Sequence, residues 1–413
     1  MDYRDEVYFR SRPEAEVPFP PEEFHRRLDG LRRRMQTAGI DMLYLMAPES
    51  MYYLSGYQCE WYQAQSPRQW PASSAIAVHT DHDRFILFDS EREAILGRIF
   101  TTSQDTRLFP RDSMRDGAEF AVRELQAEDW LTGKVGLEMG SYRPNRLISE
   151  KLEALFRATG VEVIDGTDLL RQQRWIKSPA EIDCLKEAAR IANIGMMAAK
   201  AALRIGITEL EVYGEMVRAM AAAGGENPGI TMPVLSGTKT NALHALATRR
   251  RIQAGDIVAV DLCGVYKRYH VNMARSFSMG EPARDVRETT DRIAQSMPVL
   301  RGLLRPNLPV RELNQAIRDY FEAAGLWDKR GWLGGYEMGI AFPPDWVGNF
   351  VYDPLSPLNA DRFFEPGTAV NYENQFFLPR HIGQYFAIDS FLFTETEAKG
   401  LTEMPFELMV IEG

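Results

Sequence analysis

The 413-residue chain is poor in several things that would otherwise organise a protein. It has three cysteines, Cys59, Cys184 and Cys263, widely spaced and odd in number. That excludes a disulfide framework or a cysteine metal cluster as the organising device. It lacks any long uncharged apolar run, so no segment is suited to span a bilayer. It lacks an excess of positive charge: Lys and Arg total 48 against 58 Asp and Glu, a net charge of −10. Nucleic acid and anionic membrane are therefore poor candidates for the main partner. The leading stretch MDYRDEVYFRSRPEAEVPFPPEEF is charged and proline-rich, unlike a secretory signal. A reducing cytoplasm is the expected setting. There is no short repeat and no low-complexity segment.

The composition that remains is that of a soluble globular protein, with 45% hydrophobic and 26% charged residues. The length suits two domains, each with its own core. In the first, EEFHRRLDGLRRRMQTAGI has helical spacing, with Leu28, Leu31 and Met35 on one face and Gly39 at its end. DMLYLMAP reads as a strand and ESMYYLSGY as a helix. SSAIAVHTDHDRFILFDS reads as two strands around a polar turn. EREAILGRIF and residues 118–128 look helical, and GKVGLEMG and VEVIDG complete the alternation. This is an α/β domain over residues 1–173 with a mostly parallel or mixed sheet. A second domain, 174–413, opens on a capping box, in which Ser178 precedes Pro179 and Glu181 follows three positions on. Helices are expected to about 202, from 209 to 223, near 285–303 and over 310–324, with strands between and after them. Two passes of helix, helix and antiparallel strands suggest a pseudo-symmetric α+β domain.

Five places in the second domain carry candidate chemistry. NALHALATRRRIQAGDIVAVDLCG places His244 before a turn, and Asp256 and Asp261 around an apolar run. YKRYHVNMARS holds His270, Asn272 and Arg275. GGYEMGIAFPPDW has glycines suited to a close backbone approach. In PGTAVNYENQFFLP, Glu373 interrupts an apolar, aromatic strand, and in IGQYFAIDSFLFT, Asp389 does the same. A carboxylate at such a position is costly to bury unless paired or functional.

Taken in this order, the five resemble the pita-bread fold of creatinases, methionine aminopeptidases and aminoacyl-proline dipeptidases. The resemblance covers about residues 176–405, and the preceding unit is similar to the creatinase-type N-terminal domain. YKRYH, GY-x-x-G-x-x-x-PPDW and TET are close to ectoine hydrolase-like members. Metal-dependent members hold two divalent ions with two aspartates, a histidine and two glutamates. Position by position, the resemblance puts Asp261 on the first aspartate and Glu373 on the first glutamate. The other three positions carry Asn272, Tyr336 and Ile388, the last just before Asp389. An amide is a poor ligand for a hard divalent ion beside a carboxylate. The resemblance therefore implies a hydrolase with no metal and no other cofactor.

In creatinase-like members the histidine matching His244 moves protons, a task suited to an unperturbed pKa of about 6.5. Glu373 would then orient a cationic or amidine-like group, with Asp261 beside it. Tyr336, Asn272, His270 and Asp389 are expected to contact a small-molecule substrate. His270, sharing a strand face with Asn272, is the rival proton carrier. Ala274 and Ile388 stand where creatinase has a glutamate and a histidine, so creatine itself is not the expected substrate. The resemblance also implies a homodimer whose 57–70 loop approaches the partner's site. That loop bears Trp61, Tyr62, Arg68 and Trp70, and an arginine there suits a substrate carboxylate. Three other readings stand beside this one. They are a dipeptidase with one metal on Asp261, Asn272, Glu373 and Asp389, a lyase on the same scaffold, and a binding module without catalysis.

Overall fold

A computed structural model describes residues 3, 6, 14–59, 73–110 and 116–412. It divides into two compact units, Met1–Arg174 and Trp175–Gly413.

Among the described residues the first unit is built on six strands: β1 (Met42–Leu45), β2 (Ala75–His79), β3 (Phe85–Ser90), β4 (Thr106–Phe109), β5 (Lys134–Leu137) and β6 (Glu162–Asp165). They form one mixed sheet in the order β4-β3-β2-β1-β5-β6. β2 runs antiparallel to both β1 and β3, while β1–β5, β5–β6 and β3–β4 are parallel. The helix Pro21–Ala38 buries Leu28, Leu31 and Met35 and ends at Gly39 with φ 64, a conformation that costs glycine little. Helix Arg146–Ala158, which the sequence reading did not single out, is capped by the Asn145 side chain and buries Ile148, Leu152 and Phe156.

The second unit has eleven strands. In chain order they are β7 (Val234–Ser236), β8 (Ile257–Tyr266), β9 (Tyr269–Met279), β10 (Leu308–Pro309), β11 (Arg330–Tyr336), β12 (Val351–Tyr352), β13 (Phe363–Phe364), β14 (Ala369–Phe377), β15 (Gln384–Phe393), β16 (Ala398–Gly400) and β17 (Met409–Ile411). Nine of them make one sheet, ordered β12-β11-β14-β15-β9-β8-β7, with β16 on β15 and β17 on β9. The helix Pro179–Ala202 starts with the expected capping box of Ser178 and Glu181. Its small residues let it lie directly on β8: a Cβ on Gly264 would stand 1.9 Å from the Ala188 carbonyl oxygen. Helices Arg284–Ala294, Ser296–Leu303 and Val310–Ala323 supply a second apolar layer that includes Ile293, Leu300, Leu313 and Phe321.

The GGY segment, whose glycines suit the expected close backbone approach, is the end of β11. Its fit depends on missing side chains. Gly334 has φ 138, and a Cβ on Gly335 would lie 2.0 Å from the Asn371 carbonyl oxygen. That approach lets β11 pair with β14 and brings Tyr336 against the sheet.

Strand alternation then divides the functional residues. Gly264 and Leu262 face the helix Pro179–Ala202, and Asn374 bonds to Ser296 on the same helical side. Asp261, Asn272 and Glu373 have the opposite parity and lie on the other face.

Candidate active site

Across the middle of the sheet one transverse row reads Asp261, Ala274, Ile388, Glu373, Gly334, each residue in register with the next. The two carboxyls flank two apolar side chains. Ala274 and Ile388 cluster with Ala259 and Phe386, and Leu243 packs against that cluster. One row further on stand Cys263 and Asn272, in register with each other, and Ser390 and Asn371, likewise paired.

Asn272 joins the two ends of the site. Its amide nitrogen donates to Asp261 Oδ1 at 2.8 Å and to the Leu262 carbonyl at 3.0 Å. Its Oδ1 accepts from Asn371 Nδ2 at 3.0 Å and from the Tyr336 hydroxyl at 3.3 Å. Asn371 Nδ2 also donates to Glu373 Oε1 at 2.9 Å, and Gln375 Nε2 donates to Glu373 Oε2 at 3.1 Å. Trp346 Nε1 donates to the Tyr336 oxygen at 3.0 Å, and the Tyr336 backbone N–H donates to Asn371 Oδ1 at 2.7 Å. An aspartate at 272 would set two carboxylates in contact. The amide instead gives a donor to one neighbour and an acceptor to the others.

Among the described residues no cation offsets the two acids, and their titration shifts accordingly. Burial pushes Asp261 up to about 7, opposed by the Asn272 and Leu262 hydrogen bonds. Burial and then the charge of Asp261 push Glu373 up to about 8, opposed by Tyr336, Asn371 and Gln375. Both carboxyls thus titrate near neutrality rather than in the ordinary range near 4. Burial, followed by the charges of Glu373 and Asp261, holds the Tyr336 phenol well above its usual value, so it remains a neutral donor.

The other expected residues are not all brought here. His244 lies exposed in the turn after the short 3-10 helix Gly237–Asn241, and its neighbour Leu243 seats on the Ala274–Ile388 cluster. His270 is buried with both ring nitrogens on backbone: Nε2 accepts from the Gly229 N–H at 2.9 Å, and Nδ1 lies 2.9 Å from the Arg268 carbonyl. Burial and the charge of Arg268 lower it to about 3, so it stays neutral and has no free nitrogen to offer a substrate. Asp389, expected at the substrate, points to the opposite face. There Arg275 Nη2 meets its Oδ1 at 2.5 Å, Arg301 its Oδ2 at 3.1 Å, and Thr402 donates to Oδ1 at 2.6 Å. Alternation on β15 is the reason: in-register Ile388 takes the place beside Glu373. Trp61, Tyr62, Arg68 and Trp70 lie outside the described residues.

Sequence reading missed Asn371, Gln375, Trp346 and Cys263 as members of the site. The signal for the first two was present, since both stand two positions from Glu373 on one strand and must share its face.

The residues present do not fit a pair of divalent ions. Among the described residues no group of three or more His, Cys, Asp and Glu side chains converges as a metal site. Asp261 and Glu373 are joined by amides, and the remaining family positions hold a phenol and an aliphatic side chain, donors unsuited to replacing carboxylate and imidazole.

Comparison with known proteins gives this geometry its context. Residues 183–395 match the model of metallopeptidase family M24, and residues 27–176 match the creatinase/prolidase N-terminal domain. An uncharacterized hydrolase/peptidase, y4tM of Sinorhizobium fredii, is 26% identical, with 95% of this chain and 98% of that protein aligned. Ectoine hydrolase of Halomonas elongata is 23% identical over 96% of this chain and 99% of its own. A prolidase structure from Thermococcus sibiricus superposes with a TM-score of 0.80 at 16% identity, covering 94% of this chain and 99% of that one, a likeness of fold. With the catalytic-domain match spanning more than half its length behind a creatinase-type N-terminal domain, the chain belongs to metallopeptidase family M24 and has the pita-bread fold.

Proposed function

We propose that this hydrolase works without a metal and cleaves a C–N bond in a small polar amidine, amide or amino-acid derivative. The observation that carries the reading is Asn272, which bridges Asp261 to Asn371 and Tyr336 where a metal-binding site needs another carboxylate. Two acids with no cation beside them among the described residues favour a ligand that brings positive charge or N–H donors. Glu373 orients the nitrogen-bearing group, Asp261 supports it from the far end of the row, and Tyr336 and Asn272 supply neutral hydrogen bonds. His244 takes a proton from water as its oxygen bonds to the substrate carbon. It then returns a proton to the nitrogen as the C–N bond breaks. The similarity to ectoine hydrolase along nearly the whole chain supports a non-peptide substrate. The same reading places the enzyme in the cytoplasm as a homodimer, with Trp61 and Arg68 of one protomer near the partner's site.

The test is an assay of chelator-dialysed protein against a cyclic amidine carboxylate and an Xaa-Pro dipeptide, with metal content measured on the same sample. Turnover of the amidine without metal is expected. Xaa-Pro hydrolysis restored only by manganese or cobalt would overturn the proposal. A monomeric mass in solution would remove its shared-site part.

A further inference from the structure

We infer that Glu209 is a positioning residue for His244, clasping the two ends of the loop that carries the histidine; this rests on the proposed role of His244. Glu209 is fully buried at the first position of the helix Glu209–Ala222. The helix does not need it for capping, because Thr208 and Glu211 already form a capping box. Its carboxylate turns instead to the loop between β7 and β8. Oε1 accepts from the Ser236 N–H at 2.9 Å and the Ser236 hydroxyl at 2.7 Å. Oε2 accepts from Lys239 Nζ at 2.5 Å, the Thr248 N–H at 2.9 Å and the Thr248 hydroxyl at 2.9 Å.

These donors come from both ends of one arc. Ser236 and Lys239 precede His244 and Thr248 follows it, so one buried carboxylate ties the arc where it leaves β7 and again four residues beyond the histidine. Lys239 spans the arc itself, with Nζ also donating to the Leu246 carbonyl at 2.6 Å and to the Thr248 hydroxyl at 3.1 Å. Thr240 holds the near end to the start of β15, its hydroxyl oxygen accepting from the Gln384 N–H at 2.9 Å. Between these ties the arc bears Leu243, seated on Ala274 and Ile388, and then His244. An exposed histidine on an unsupported loop would spread over many positions. Here the two tied ends and the Leu243 contact restrict it, and misplacing a catalytic group by about 1 Å is enough to cost about 100-fold in rate.

The test is Glu209→Gln, which keeps the volume but turns an amide N–H toward a cluster of donors. In the full-length protein we expect kcat to fall about 10- to 100-fold with KM little changed. The limb of the kcat–pH profile that depends on His244 should shift. In a His244→Ala background the same substitution should have no further effect on kcat. Independently of activity, the imidazole resonance lost in His244→Ala should move or broaden in Glu209→Gln. If Glu209→Gln does not fold, Lys239→Met opens the same clasp from the exposed side and takes the same readouts. An unchanged His244 resonance, or an equal loss of kcat with and without His244, overturns the inference. Should His244→Ala keep full turnover while the resonance still moves, the proton-transfer reading fails and the clasp stands.

Discussion

The two faces of the central sheet bury carboxyls in opposite ways. On the helix-covered face, Asp389 is 0% exposed and is met by two guanidinium groups and a hydroxyl. Arg275, itself fully buried, spends its remaining donors on the carbonyls of Ala274, Ile388, Met404 and Pro405. On the other face, Glu373 is 5% exposed and is met by two amides and a phenol, and Asp261, partly buried, by the Asn272 amide and the Leu262 backbone. Asp389 and Glu373 are comparably buried, but only the first is met by opposite charge among the described residues. The difference marks purpose. A compensated buried charge ties chain segments together, whereas an uncompensated pair holds binding energy in reserve for whatever enters.

The largest expected break in this contrast is on the structural side. Arg275→Met leaves Asp389 with the Thr402 hydroxyl and the charge of the half-exposed Arg301, and should cost about 3–5 kcal/mol in denaturant unfolding. A double change, Arg275→Met with Asp389→Leu, should recover most of it; no recovery would mean that the backbone contacts of Arg275 matter more than the charge. On the functional side, His244→Ala should lower kcat at least about 100-fold, about 2.7 kcal/mol of transition-state stabilisation, with an unchanged unfolding midpoint. Near-normal turnover would remove His244 from the mechanism.

A smaller effect separates the faces by pH. Glu373 titrates at about 8 in the folded protein and near 4 unfolded. The native state therefore keeps a proton that the unfolded chain releases, and stability falls as pH rises from about 4 to about 8. Glu373→Gln removes that loss and should gain about 1–2 kcal/mol over wild type at pH 8, with little gain at pH 5, while weakening substrate binding. Parallel stability curves for the two proteins would contradict the uncompensated burial. The smallest expected change is for Asn272→Asp. Exchanging the donor to Asp261 for a second acid should cost about 1 kcal/mol at pH 8 and less at pH 5.

Much of the fold was legible because periodicity and caps are local. The Ser178–Glu181 capping box, Leu28, Leu31 and Met35 on one helix face, and Gly39 at its end all stand where spacing placed them. The strand at Arg330–Tyr336 was not legible, because interior glycines weaken a strand pattern and their reason lies in a strand distant in sequence. At the site, Asp261, Asn272, Tyr336 and Glu373 come together across four strands. The order of motifs suggested this, but the link through Asn371 depends on register, which only the paired strands reveal. Asp389 looked functional because a buried carboxylate is costly, and His270 because it shares a strand face with Asn272. Their partners, Arg275 and the backbone at Gly229 and Arg268, are remote or inconspicuous in the sequence.

The pairing of β15 decides more than its neighbours' hydrogen bonds. Ile388 and Asp389 are consecutive, so which of them meets Glu373 is a matter of odd or even count. β15 is matched to β14 at nine successive positions from Gln384 to Leu392. Sliding the strand by one residue would exchange every side chain between the faces. Asp389 would then stand beside Glu373, and Arg275 would lose its counter-charge. A one-residue insertion or deletion in the turn at 378–383 is the genetic step that would attempt this exchange, and the long ladder resists it. The chemistry available to this enzyme is therefore guarded by arithmetic along the chain as well as by the identity of its residues.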